Sequence, residues 1–241
     1  MRRLQFVLVL CVASVGLAEE PSVDGEAADT EAKQAPLPVD PTWIRLSKDD
    51  RVWVDKKRKT VIVGAEICNH LATLEMFACP ARTKEYESLI AVHSRARVVH
   101  TALLAIGATT GGPAQFDPEY VPASGSEIEV TVVWMDDQGN RQRIRAQEWV
   151  RELTTGKPMT HEWVFAGSGF SEPYEDEEPY YLAESGDLIC VSNFSTAMMD
   201  LTVSSSQSDG GLLFEVFTER VPPVGTPVQL ELTPKPANDK D

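Results

Sequence analysis

His93 and His100 stand seven residues apart, two turns of an α-helix, so one helix carrying both would point them the same way. The helical period, however, begins only after His93: Val99, Leu103 and Ile106 set it, and Ser94 is placed to cap its start. His100, with Glu87 and Cys79 upstream, offers nitrogen, oxygen and sulfur donors of the kind a soft metal takes. Their spacing matches no closed metal site, so a hydrogen-bonded histidine at the start of a buried helix is the favoured expectation. Gly167-Ser168-Gly169 follows a strand-like run, as a phosphate-cradling turn would. It leads into an acidic loop rather than a helix N-terminus, so it reads as a tight turn with close backbone packing.

Other chemistries lack their signature. There is no Gly-x-Ser-x-Gly elbow, no second histidine at helical spacing after His161-Glu162, and no Cys-x-x-Cys pair. Five carboxylates fall between Glu172 and Glu178, but without the spacing or glycine turn of a calcium loop. They read as a solvated acidic loop. Asn193-Phe194-Ser195 matches a glycosylation sequon by accident of composition. Beyond Cys11 the thiols are Cys68, Cys79 and Cys190. Three is odd, so at least one is free or pairs with another chain. Cys68 and Cys79 enclose a short loop and form the easiest bridge to build, whereas Cys190 sits in an apolar run as a small buried hydrophobe.

The elements that must position these residues are mostly strands. Arg51–Val54 and Val61–Ala65 flank the basic turn Lys56–Lys59 as a hairpin. Thr73–Phe77 and Ser88–Val92 read as further strands. Glu127–Met135 alternates through Ile128, Val130, Val132 and Trp134, and Arg141–Ala146 returns as its hairpin partner. Strand-like runs follow at 162–166, 180–183, 188–192, 201–204, 212–217 and 228–232. Ser94 to Gly107 is the main helix, ended by Gly107 in a left-handed conformation, and Gln147–Leu153 is a short second one. The expected fold is α+β: a mostly antiparallel β-sheet or sandwich with one main helix at about 94–107 and one short helix at about 147–153.

The ends carry addressing information. Arg2-Arg3, the apolar run Leu4–Leu17 and the small-x-small Gly16-Leu17-Ala18 form a secretory signal peptide cut after Ala18. The run is too short for a membrane span, which needs about 20 apolar residues. Residues 19–41 are acidic, Pro-rich and free of aromatics, a solvated linker. Residues 42–234 suffice for one domain, with 235–241 a frayed tail. The net charge of −15 argues against nucleic acid or anionic lipid as partner.

A set of short segments adds a family. Cys79-Pro80, Lys84-Glu85-Tyr86-Glu87-Ser88, the run from His100 to Gly107, Trp163-Val164-Phe165-Ala166-Gly167-Ser168-Gly169-Phe170 and Gly186-Asp187-Leu188-Ile189-Cys190-Val191-Ser192-Asn193-Phe194 together resemble the YdjY-like domain of exported bacterial proteins, many from planctomycetes. The resemblance runs from about Cys79 to Pro234. It implies export to the periplasm or beyond, and no particular reaction. Such domains occur beside redox and ferredoxin-like modules, which implies an accessory role in an envelope redox system with a protein partner there. The resemblance directs attention to Cys79, Lys84, Glu87 and His100, which join Gly167, Ser168 and Gly169 as the binding candidates. No catalytic residue and no cofactor is expected. The first functional class is therefore an exported binding or accessory protein. The second is a metal-dependent or thiol enzyme, or metal carrier, using Cys79, Glu87 and His100.

Overall fold

The computed structural model describes residues 35–173, 178–205 and 213–236. The expected leader, most of the linker, the centre of the acidic loop and the end of the tail lie outside the described residues. In chain order the elements are β1 (Ile44–Arg45), β2 (Val52–Asp55), β3 (Thr60–Ile67), β4 (Met76–Pro80), β5 (Ser88–Val92), α1 (Ala96–Ala105), β6 (Glu127–Met135), β7 (Arg141–Arg145), β8 (Val150–Glu152), β9 (Trp163–Val164), β10 (Ile189–Cys190), β11 (Asp200–Leu201), β12 (Phe214–Val216) and β13 (Pro227–Pro234).

One large sheet runs in the order β10-β4-β5-β3-β13-β6-β9-β11, with β1, β2 and β7 attached at its sides. Among the described strands only the β4–β5 pair is parallel. The two ends of the sheet meet: Cys190 N–H donates to Met199 O and Met199 N–H to Leu188 O, both near 3 Å, so β10 comes round beside β11. The mostly antiparallel α+β fold is thus present, but as one sheet curled on itself rather than a two-sheet sandwich. The right-handed twist of a long sheet carries its edges toward each other, and joining them satisfies backbone groups that an edge would leave open.

The centre is β13. Leu230 pairs with Val63 on one side and Val132 on the other. Its alternation puts Val228, Leu230 and Leu232 in the main core with Val61, Val63, Val130 and Val132. The opposite face of β13 carries Glu231, whose side chain is 1% exposed. Arg58 and Arg143 bond it at 3.1–3.3 Å, and Arg141 lies 3.5 Å away. Arg58, itself 43% exposed in the solvated turn, reaches Glu231 with its guanidinium, because a buried carboxylate needs paired charge.

Local expectations are met where the pattern is strong. β5 and β6 occupy the expected residues, and α1 ends before Gly107, which adopts φ +95°. Three assignments are corrected. Residues 147–153 are a 3-10 turn (Ala146–Trp149) followed by β8, because Val150 pairs with Val216 of β12 and that distant partner overrides helix propensity. Residues 180–183 lead into a 3-10 turn (Leu182–Ser185) rather than a strand. β4 begins at Met76, not Thr73, since Thr73 bridges Glu215 of the small β8–β12 sheet before the chain crosses over. Within the segment read as linker, Leu37 is buried and Pro38 O accepts a hydrogen bond from Gln229 Nε2, so the chain is anchored there.

Candidate functional site

Gly64 is the point where one side of β3 changes partner. Val63 pairs with Val52 of β2, and Ala65 pairs with Val92 of β5. Gly64 N–H donates to Arg51 O at 2.7 Å, its carbonyl accepts from His93 N–H at 3.0 Å, and Arg51 N–H donates to His93 O at 3.1 Å. The end of β5 thus meets the start of β2 along the same side of β3, and the residues after His93 turn into α1. Ala96, Val99, Ala102 and Leu103 bury one face of that helix in the core.

The helix N-terminus is held by two distant carboxylates. Asp50 accepts from Arg95 N–H at 2.8 Å, from Ser94 Oγ–H at 3.3 Å and from the Arg95 guanidinium. Glu184 accepts from Ala96 N–H at 2.9 Å and Arg97 N–H at 3.1 Å. Ser94 therefore does not cap the helix as expected; its hydroxyl serves Asp50, and negative charge from elsewhere meets the free N–H groups and the positive end of the dipole. Burial alone would raise the Asp50 pKa, but hydrogen bonds from Arg95 hold it far below the usual carboxylate range.

An open groove of about 1050 Å³ lies along this junction, over the outer face of β3 and β5. Glu66, Cys68, Ala91, His93 and Val224 are among its walls, with Arg82 and Glu85 at one rim and Asp50 and Arg95 at the other. His93 Nε2 lies 3.6 Å from Glu66 Oε2. Arg82 stands in a left-handed conformation (φ +69°), fixed by its N–H donating to Glu85 Oε1. Cys68 Sγ donates to Ser88 O at 3.3 Å, and burial pushes its thiol up to about 12, so it is not a thiolate at neutral pH. A recess of about 450 Å³ shares Glu66 and His93 with the groove and adds Arg51, Ala65, Pro36 and Pro227.

The residues singled out from sequence fall into two other places. His100 Nδ1 lies 2.8 Å from Tyr181 Oη, and the Tyr181 hydroxyl donates to Gly167 O at 3.0 Å. A hydroxyl has one hydrogen, so Nδ1 carries the proton that Tyr181 accepts. Burial holds the imidazole below its ordinary pKa, opposed by its own interaction with the Gly167 backbone. Phe165 and Tyr181 meet its ring edge-on at 4.9 and 5.4 Å. Gly167 (φ +94°) has no room for a side chain, since a Cβ would stand 2.6 Å from Thr110. Ser168, also left-handed at φ +55°, donates Oγ–H to Thr196 O at 2.6 Å. Gly169 O accepts from Leu182 N–H. The three residues form a tight turn packed closely against Thr110, Thr196 and Leu182.

Cys79, Lys84 and Glu87 gather elsewhere. Lys84 Nζ is 3.0 Å from Asp187 Oδ1 and 3.6 Å from Glu87 Oε1, and 4.6 Å over the Phe194 ring. Burial would lower its pKa, but Asp187 and Glu87 raise it, so it stays a cation. Cys79 is fully buried, and burial raises its thiol pKa. His100 belongs to the other cluster, and among the described residues no group of three or more His, Cys, Asp or Glu could hold a metal. The Cys79–Glu87–His100 centre is therefore not assembled. Cys68, Cys79 and Cys190 are free thiols, so the Cys68–Cys79 bridge is not formed. Cys79 lies on β4 and Cys68 just past the end of β3, strands that β5 separates; the two thiols remain unbonded although Cys79 adds through space to the rise in the Cys68 pKa.

Asp50, Arg51, Glu66, His93 and Glu184 were not anticipated as a group. Gly64 inside an otherwise β-branched strand was the available signal, since such a glycine marks a close approach of another chain segment.

A family model described as YdjY domain matches residues 52–233, which takes in β2, β3 and the groove apart from Asp49 and Asp50, as well as the region from Cys79 onward. Comparisons with curated proteins and with solved structures give no match.

Proposed function

From a chain that belongs to the YdjY domain family, we propose an exported binding or accessory protein that holds a small polar ligand in the groove over β3 and β5. The observation carrying this reading is the groove itself: about 1050 Å³, open, and lined by backbone, apolar and both signs of charge at a junction stiffened by Asp50 and Glu184. The Cys68 thiol facing it has its pKa raised, which favours binding over nucleophilic chemistry. Export rests on Arg2-Arg3, the apolar Leu4–Leu17 run and Gly16-Leu17-Ala18. A partner in an envelope redox system rests on the family resemblance. No helix among the described residues is long and apolar enough to cross a membrane.

Two measurements test the reading. N-terminal sequencing of the periplasmic fraction from a bacterial host should give a chain starting at Glu19; intact precursor in the cytosol refutes export. NMR screening of the purified mature chain with small polar fragments should move Ala91, His93 and Val224 amides together. Shifts centred on Lys84 and Glu87, or scattered over the surface, refute the groove.

A further inference from the structure

Arg51 immediately precedes β2 and lies flat across Gly64. A Cβ on Gly64 would stand 2.8 Å from Arg51 Nε and 3.0 Å from Arg51 Cβ, so the arginine occupies the space a side chain would need. Its backbone is pinned on both sides, by His93 O and by Gly64 N–H. The side chain is half-buried, and burial works to lower its pKa while Glu66 acts through space the other way. Among the described residues the guanidinium makes no hydrogen bond or ion pair. A partly desolvated cation with five donors and no acceptor is costly unless an anion completes it. The recess beside it supplies the room, about 450 Å³, with Ala65, Pro36 and Pro227 as apolar walls.

We propose that this recess binds a monoanionic carboxylate with a short apolar body: the carboxylate sits in the Arg51 fork, the body lies against Pro36 and Pro227, and Gly64 is the residue that lets Arg51 lie there. The inference rests on the binding reading above and specifies one end of the ligand. The planar fork matches two coplanar oxygens. Glu66 beside it, and a chain of net charge −15, penalise a doubly charged anion such as phosphate.

The test is an NMR titration of the ¹⁵N-labelled full chain with sodium butyrate at constant ionic strength, with inorganic phosphate and n-butylammonium chloride as parallel titrants. Saturable shifts are expected at Arg51 Nε and at the Gly64 and Ala65 amides. Arg51→Met, which keeps the apolar stem, should weaken binding at least tenfold, and Gly64→Ala should do likewise by lifting the guanidinium. Lys157→Ala, on an exposed turn, should leave it unchanged. An unaltered spectrum elsewhere shows that the variants fold. A linear drift without saturation, wild-type affinity in Arg51→Met, or phosphate binding as well as butyrate overturns the proposal. If polar fragments still shift Ala91 and Val224 while butyrate leaves Arg51 silent, the anion recess fails and the groove reading stands. Butyrate saturating Arg51 in a chain whose larger groove takes no fragment upholds the recess and overturns the groove.

Discussion

Around His100, the Tyr181 hydroxyl accepts from Nδ1–H and donates to Gly167 O, Ser168 spends its hydroxyl on Thr196 O, and three aromatic contacts close the space. Around Arg51, the backbone is equally well tied, but the charged group faces a recess and bonds no described residue. Both regions contain residue types that could do chemistry, and both include a glycine that admits a close neighbour. They differ in hydrogen-bonding capacity left over after folding. A closed cluster consumes its donors and stabilises the fold, whereas an open one keeps them for something that is not part of the chain.

The largest effect that would sharpen this contrast comes from Asp200, on the segment that the closed region packs against. Its carboxylate is buried and accepts from Asn193 Nδ2 at 3.0 Å and Leu201 N–H at 2.8 Å. Burial pushes its pKa up to about 7, against those hydrogen bonds. A folded-state pKa above the unfolded one contributes stability that is complete below about pH 4 and is lost as pH rises through 7. Unfolding free energy should therefore fall by up to about 1.4 kcal/mol per pH unit across that window. Asp200→Asn should flatten the slope in urea denaturation at stepped pH; an unchanged slope assigns it to other groups.

Asp50→Ala should come next, at about 2–3 kcal/mol, because it removes a helix-end acceptor and leaves Arg95 without its carboxylate. Slower hydrogen exchange of the α1 amides in the variant than in wild type would contradict that role. Tyr181→Phe should cost about 1–3 kcal/mol by stranding Gly167 O and His100 Nδ1–H, with the groove amides unmoved. If the groove amides shifted as well, the two regions would not be separable. The smallest change is Arg82→Gly: releasing a left-handed non-glycine backbone at the groove rim should alter stability by less than about 1 kcal/mol, read in the same denaturation.

The strongly patterned strands were legible because each carries its own reason. Ile128, Val130, Val132 and Trp134 alternate, and β6 occupies the expected residues. Gly107 ends α1 for a local reason too, the ease of a positive φ. Ser94 was a reasonable cap by sequence, yet Glu184, 88 residues from Ala96, took the role. β8 was misread because its partner β12 lies far along the chain. The candidate site failed in the same manner. His100 and Tyr181 are 81 residues apart, and nothing local to either announces a hydrogen bond. Cys79, Glu87 and His100 are near in sequence, but the fold sends His100 to a different cluster.

The order of side chains alone determined the β-rich character, the position of the main helix, the family and the acidic charge, because periodicity and composition act over a few residues or over the chain as a whole. Tertiary structure decided how the sheet curls until β10 meets β11, which carboxylates hold α1, and which polar groups stay open. Those outcomes depend on pairings between residues tens of positions apart. Whether a donor is satisfied is set by the partner that arrives, not by the residue that carries it.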